Sequence, residues 1–224
     1  MKTAVLFGGF LRPTPPEEYG LFYWVIFMGR PRGVVQGFGV NDANYVVSRL
    51  VSGRMVSCKA YVTWKDIISR CYSEKRQKKN PTYIGVTVCD EWRSFMAFRE
   101  WWLESHVDGW QIDKDLLTDN NQYSPDSCIY VPAWLNTFTI DRNAVRGEFP
   151  IGVDYHKSSK SFRSMCNNPA TGKQVTIGRF KTPEAAHMAW RARKLEYAAQ
   201  MKNEMDAIDM RIYHRIVEII NRAR

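Results

Sequence analysis

No C-x-x-C pair occurs among the five cysteines, Cys58, Cys71, Cys89, Cys128 and Cys166, so no zinc ribbon is written in this chain. Their odd number and their apolar or aromatic neighbours favour reduced, buried thiols over disulfides, and no ligand spacing supports a zinc on Cys58, Cys71 and Cys89. The apolar stretch 21–28 is far too short to span a bilayer, and no small-residue cleavage site follows it. Histidine is scarce, with four residues in 224. Acidic residues are outnumbered, 23 against 32 Lys and Arg, and the net charge of +9 suits a polyanionic partner whose counterions the cations would release. A chain of this length has room for one ordinary domain or two small ones.

What is present falls into four stretches. Residues 1–27 hold a Pro-rich turn (Pro13, Pro15, Pro16) and little periodicity, while Met28 opens a Gly-rich segment, which leaves open whether translation starts at Met28. From Trp64 to Trp102 the pattern is helix, loop, helix. Trp64, Ile67, Ile68 and Cys71 recur at helical spacing. A basic loop (Lys75, Arg76, Lys78, Lys79) ends at Asn80-Pro81, and a second amphipathic run after Asp90 carries Trp92, Phe95, Phe98, Trp101 and Trp102, an aromatic stripe that reads as core. Residues 111–136 read as strand, polar turn, strand and a helix opening at Pro132, a ββα outline, with a polar linker at 141–150.

Beyond the linker the rhythm becomes three strand-like runs, 151–157, 161–166 and 174–180. Thr182, Pro183 and Glu184 then form the start signal of a helix running to about Met201. A last amphipathic run, Ile208, Ile212, Ile216, Ile219 and Ile220, predicts a C-terminal helix that packs back or pairs with another chain. The fold class expected is therefore α+β, with a ββα core among aromatic-rich helices and a small three-stranded antiparallel sheet on one helix. Its divisions are 28–146, 147–203 and 204–224.

Trp64-Lys65-Asp66-Ile67-Ile68-Ser69-Arg70-Cys71-Tyr72, followed by Tyr83-Ile84-Gly85-Val86-Thr87-Val88-Cys89-Asp90-Glu91-Trp92, resembles the W-x-x-M-x-x-R-C-Y … Y-x-G-x-x-V-C-x-E-W preface of phage-encoded HNH homing endonucleases. The resemblance covers roughly residues 37–138. It implies a ββα-metal fold and metal-dependent cleavage of double-stranded DNA, with Mg2+ or Mn2+ as the cofactor. Asp113 matches the metal-ligating carboxylate and Asn136 the ligand on the following helix, with Asn120 and Asn121 available in the turn. Two departures stand out. Lys114 occupies the place of the family's general-base His, and Ser127 that of the central Asn. An unperturbed Lys, with a pKa near ~10.4, is protonated at neutral pH and a poor base. Asp115 is a second carboxylate, on the same face as Asp113 if the segment is a strand, and His106 is a candidate base from the preceding loop. The alternatives are a surface charge cluster in a non-cleaving DNA-binding fold, or a structural or inhibitory protein that binds another protein.

Pro150-Ile151-Gly152-Val153, Phe162-Arg163, Ile177-Gly178-Arg179-Phe180 and Thr182-Pro183-Glu184-Ala185-Ala186 resemble the plant ethylene-response-factor (AP-two/ERF) DNA-binding domain, in which a three-stranded sheet reads the major groove. Period-two reading puts Ser161, Arg163 and Met165 on one face and Phe162, Ser164 and Cys166 on the other. The first set, with His156, Lys157, Lys160, Lys173, Gln174, Thr176 and Arg179, is the candidate DNA surface. Together the resemblances imply a monomer acting on duplex DNA in the cytoplasm of a host cell, with neither a membrane nor a small-molecule cofactor.

Overall fold

The computed structural model describes residues 33–138 and 148–224. Residues 1–27 and most of the expected linker at 141–150 lie outside the described residues.

The first two strands among the described residues form a hairpin, β1 (Ser48–Val51) with β2 (Arg54–Ser57), closed by Ser52 and Gly53, both at positive φ. Helix α1 (Lys59–Tyr72) begins at Cys58, whose Sγ accepts from the Tyr61 amide at 3.4 Å. It buries the expected face, Trp64, Ile67, Ile68 and Cys71. The basic stretch after it is a short helix, α2 (Glu74–Lys79), where a loop was expected. Its Arg76 guanidinium reaches back to Asp66 of α1 at 2.6 Å.

Helix α3 (Phe95–Ser105) starts later than Asp90. Ser94 is the effective cap, its Oγ accepting from the Ala97 amide at 3.0 Å, while Trp92 sits in a 3-10 turn before it. The aromatic stripe is core, with Trp92, Phe95, Phe98 and Trp102 all buried. Trp64 closes this cluster by donating Nε1–H to the Trp92 carbonyl at 2.7 Å, so its one polar atom is satisfied inside the apolar mass.

Four short strands around α3 form two pairs. β3 (Thr87–Val88) pairs in parallel with β5 (Gln122–Tyr123), and β4 (Gln111–Asp113) pairs antiparallel with β6 (Ile129–Val131). Helix α4 (Ala133–Phe138) comes directly after β6. Directly opposed residues share a sheet face, so Ile112 and Tyr130 lie on one side of the β4–β6 pair, and Gln111, Asp113, Ile129 and Val131 on the other. The first side packs into the aromatic cluster of α1 and α3. The second packs into a separate core of Leu116, Val131, Leu135 and Phe138 with Trp190, Tyr197, Met205, Ile212, Ile216 and Ile220. The β4–β6 pair is thus a wall between two cores, and the second core runs across the expected boundary at 146–147.

The expected small sheet is present, in the order β7 (Val153–His156), β8 (Ser161–Asn167), β9 (Gln174–Phe180). Helix α5 (Pro183–Gln200) packs on it and is capped by Thr182, whose Oγ1 accepts from the Ala185 amide at 3.2 Å. Gly152 precedes the sheet at φ +79°, and a Cβ there would lie 2.0 Å from the Trp190 ring, so only glycine fits. The chain ends with α6 (Lys202–Ile208) and α7 (Arg211–Arg222). Of the two fates open to the terminal amphipathic run, packing back is the one observed. Ile212, Ile216 and Ile220 are buried against α5, while Arg215 and Arg222 both grip Asp119 in the turn after β4.

Candidate functional site

Strand β4 delivers Asp113 to the α4 side of the wall, half-buried. Its Oδ1 accepts from the amides of Asp115 at 2.7 Å and Leu116 at 2.8 Å, so the carboxylate closes the turn that ends the strand. Burial pushes the Asp113 carboxyl above its ordinary range, against the pull of those two N–H groups. Among the described residues no Lys or Arg forms an ion pair with it. The result is a half-buried carboxylate whose Oδ2 has no hydrogen-bond donor among the described residues.

Asn136 lies on α4 and donates Nδ2–H to the side-chain oxygen of Gln111. Gln111 stands two residues before Asp113 on the same strand face. The reading of the sequence passed over Gln111, although period two along the strand places it beside Asp113. With Nδ2 committed to Gln111, Oδ1 of Asn136 remains as an acceptor. The Asp113 carboxylate and the Asn136 amide oxygen are hard donors of the kind that take Mg2+ or Mn2+, and a divalent cation would supply the positive charge that Asp113 lacks. Among the described residues no three His, Cys, Asp or Glu side chains converge as a metal cage. A cation at Asp113 and Asn136 would therefore keep positions open to water or phosphate oxygen.

Lys114 and Asp115 are placed differently from expectation. Strand β4 stops at Asp113, so Asp115 lies in the turn and is not carried on the strand face with Asp113. Its carboxylate is exposed and pairs with the Lys114 ammonium. Lys114 is no surface charge, since only 6 % of it is exposed, and its Nζ lies 5.8 Å from the centre of the Tyr123 ring. The chain turns sharply after Asp113, and that turn sends the next side chain inward.

His106 is not a solvated loop residue. Its ring stacks on Trp102 at 4.1 Å and meets Tyr130 edge-on at 5.0 Å. Tyr130 faces away from Asp113 across the wall, so His106 belongs to the aromatic side and cannot serve as base at Asp113. Asn120 and Asn121 are spent on the turn. Asn120 accepts from Thr118 at 2.8 Å, and Asn121 sits at φ 47° while its carbonyl accepts from the Thr87 amide. Ser127 staples the same loop, fully buried, donating to the Gln122 carbonyl at 2.5 Å and accepting from the Ser124 amide at 3.0 Å. All five cysteines are free thiols, and burial pushes Cys71 and Cys128 up to about 12, which keeps them protonated and unreactive at neutral pH.

The second candidate surface is the sheet face turned away from α5. The register sets Asp154, Arg163 and Arg179 in one row across the three strands, with His156–Ser161 on one side and Met165–Thr176 and Asn167–Gln174 on the other. Strict alternation along β9 would put Arg179 on the face opposite Gln174 and Thr176. A bulge resolves this, because Ser164 pairs with Gly178 and Met165 with Thr176, leaving Ile177 as the extra residue that resets the parity. Lys157 and Lys160 stand in the β7–β8 turn and Lys173 in the β8–β9 turn, at opposite ends of the sheet. His156 is held in the first turn, its Nδ1 2.9 Å from the Ser159 hydroxyl.

Comparison with known protein families, curated relatives and solved structures finds no match to this chain. Among the described residues no helix is long and apolar enough to cross a membrane.

Proposed function

We propose that this chain is a DNA-binding HNH-type endonuclease that makes metal-dependent nicks or breaks in double-stranded DNA. The observation that carries the reading is the half-buried Asp113 carboxylate at the end of β4, on the same face as the Gln111–Asn136 pair and without an ion-pair partner among the described residues. A bound Mg2+ or Mn2+ would supply Lewis-acid stabilisation of the charge that develops on the scissile phosphate. Asp113 and Asn136 would hold it, and Gln111 fixes which atom of the Asn136 amide is presented. The outer face of the β7–β9 sheet supports DNA as the substrate. At ~3.3 Å per residue β8 spans roughly 20 Å, enough to cross a major groove ~12 Å wide with lysines near both backbones. Arg163, Arg179, Gln174 and Thr176 between those ends carry the donors and acceptors that read base edges.

A second reading, a DNA-bound protein with a dead site, draws on Lys114. A buried ammonium paired with Asp115 stands where the resembled family has its base, and His106 lies on the other side of the β4–β6 pair from Asp113. A plasmid-nicking assay on the full chain with Mg2+, with Mn2+ and with chelator separates the two. Metal-dependent nicking that Asp113→Ala abolishes supports the nuclease. DNA binding without nicking under any of these conditions leaves the second reading.

A further inference from the structure

We propose that the β1–β2 hairpin is a second DNA-contact arm, which inserts the side chains of Leu50 and Met55 into a groove of the duplex. The inference rests on duplex DNA being the partner of this chain. Leu50 and Met55 are directly opposed in the register, 68 % and 66 % exposed, one pair back from the Ser52-Gly53 turn. Exposure of this degree forgoes the burial from which the fold elsewhere draws stability at residues of the same kind. The hairpin is well specified despite its exposure. Ser52 and Gly53 supply the two positive-φ positions of a tight turn whose twist matches the strands, and Ser48 and Ser57 hydrogen-bond across its base at 2.7 Å. Below that, the Cys58 amide donates to the carbonyl of buried Val47 at 2.9 Å, so the hairpin stands on the end of α1.

The two faces differ in chemistry. Ser48, Leu50, Met55 and Ser57 occupy one; Arg49, Val51, Arg54 and Val56 occupy the other, with both arginines on it. No Asp or Glu occurs between Val47 and Cys58. An exposed apolar pair on one face, with arginines on the other and no acidic residue within the hairpin, complements a polyanion with an apolar interior. Unbranched or γ-branched apolar side chains on such arms wedge between base steps while arginines meet the phosphates. Each four-residue strand reaches ~13 Å, more than the ~7.5–8.5 Å depth of either groove. An apolar protein surface would be matched by Leu50 and Met55 but not by the two arginines.

The test uses the full chain and a fluorescein-labelled duplex of about 30 base pairs, titrated at several salt concentrations, beside the same duplex carrying 2-aminopurine. Leu50→Ser with Met55→Ser should weaken binding about tenfold, leave the salt slope unchanged and reduce the 2-aminopurine enhancement that reports unstacking. Arg49→Gln with Arg54→Gln should weaken binding and flatten the slope. All four positions sit on the exposed hairpin, and thermal melts confirm that the variants fold. A wild-type chain that binds DNA while both double variants match it overturns the arm and leaves the proposed function standing. A wild-type dimer made monomeric by the Leu50 and Met55 changes, with DNA affinity intact, likewise overturns it and assigns the tip to self-association. A wild-type chain that binds no DNA overturns both readings together.

Discussion

The Arg163 guanidinium lies fork-on-fork against the Asp154 carboxylate, Nε to Oδ1 at 3.0 Å and Nη2 to Oδ2 at 2.5 Å. The pair joins β7 to β8 across the outer sheet face and holds the Asp154 carboxyl below its usual range. Geometry of this kind is specific and planar, and at an exposed site its stabilisation is small. It nevertheless changes what Arg163 offers. Directly opposite, Arg179 has no carboxylate partner among the described residues.

Asp154→Asn therefore releases a cation on the proposed DNA face. Binding to a non-specific duplex should tighten, and the plot of log affinity against log salt should steepen by about one charge. Arg179→Ala should move both quantities the other way. Anisotropy titrations at three salt concentrations check this, and an Asp154→Asn slope equal to wild type would remove Arg163 from the phosphate contacts.

Gln111→Leu tests the proposed metal site from outside its ligand pair. Without the Gln111 oxygen the Asn136 amide can turn, and Mn2+ affinity should fall about tenfold or more. Gln111→Glu keeps an acceptor at the same place and should retain Mn2+ binding. Mn2+ titration followed by electron paramagnetic resonance reads this without any turnover. Equal affinity in Gln111→Leu and wild type would detach Gln111 from the site.

Lys114→Met separates a structural cation from a working one. Methionine keeps most of the buried stem and removes the ammonium, while Asp115, already exposed, returns to water. Stability should change by less than about 1 kcal/mol in urea unfolding, since replacing a buried cation with an apolar side chain is close to neutral when the carboxylate it leaves is solvated. A nicking rate reduced about a hundredfold in a chain of unchanged stability would mark Lys114 as a group that touches the reacting phosphate. An unchanged rate would make it a packing residue.

Lys194 predicts a pH dependence of stability. Its side chain is buried, donates to the Phe138 carbonyl and lies 3.4 Å from the centre of the Phe138 ring. Burial lowers its pKa from 10.5 to about 8. Between those values the unfolded chain binds more protons than the folded one, so this group makes stability rise with pH from about 8 to 10.5. Below about 8 the cost of the buried charge is present in full, on the order of 3 kcal/mol. Lys194→Met should remove that slope and stabilise the chain at pH 7 by about 1–2 kcal/mol, the Phe138 carbonyl losing its donor in exchange. Urea unfolding at pH 7 and pH 10 measures both effects, and a slope that survives in Lys194→Met belongs to another group.

Local chemistry made much of this protein legible before any coordinates. Helical spacing marked the buried face of α1, and Thr182-Pro183-Glu184 marked the start of α5, because a cap and an amphipathic period act within a few residues. The three strands of the small sheet were legible for the same reason, each bounded by its own turn signals. The β1–β2 hairpin and the parallel β3–β5 pair went unread. One is exposed on both faces and shows no alternation, and the other is two residues long and paired with a distant strand. Only the tertiary structure decided which side of the β4–β6 wall each candidate occupies, since that depends on two cores closing on it from opposite sides. It put His106 with Tyr130 and Asp113 with the Gln111–Asn136 pair, and turned Lys114 inward beneath Tyr123. It also restored Arg179 to the face of Gln174 and Thr176 through one extra residue at Ile177, a register shift that exists only between strands and leaves no trace in the alternation of either one.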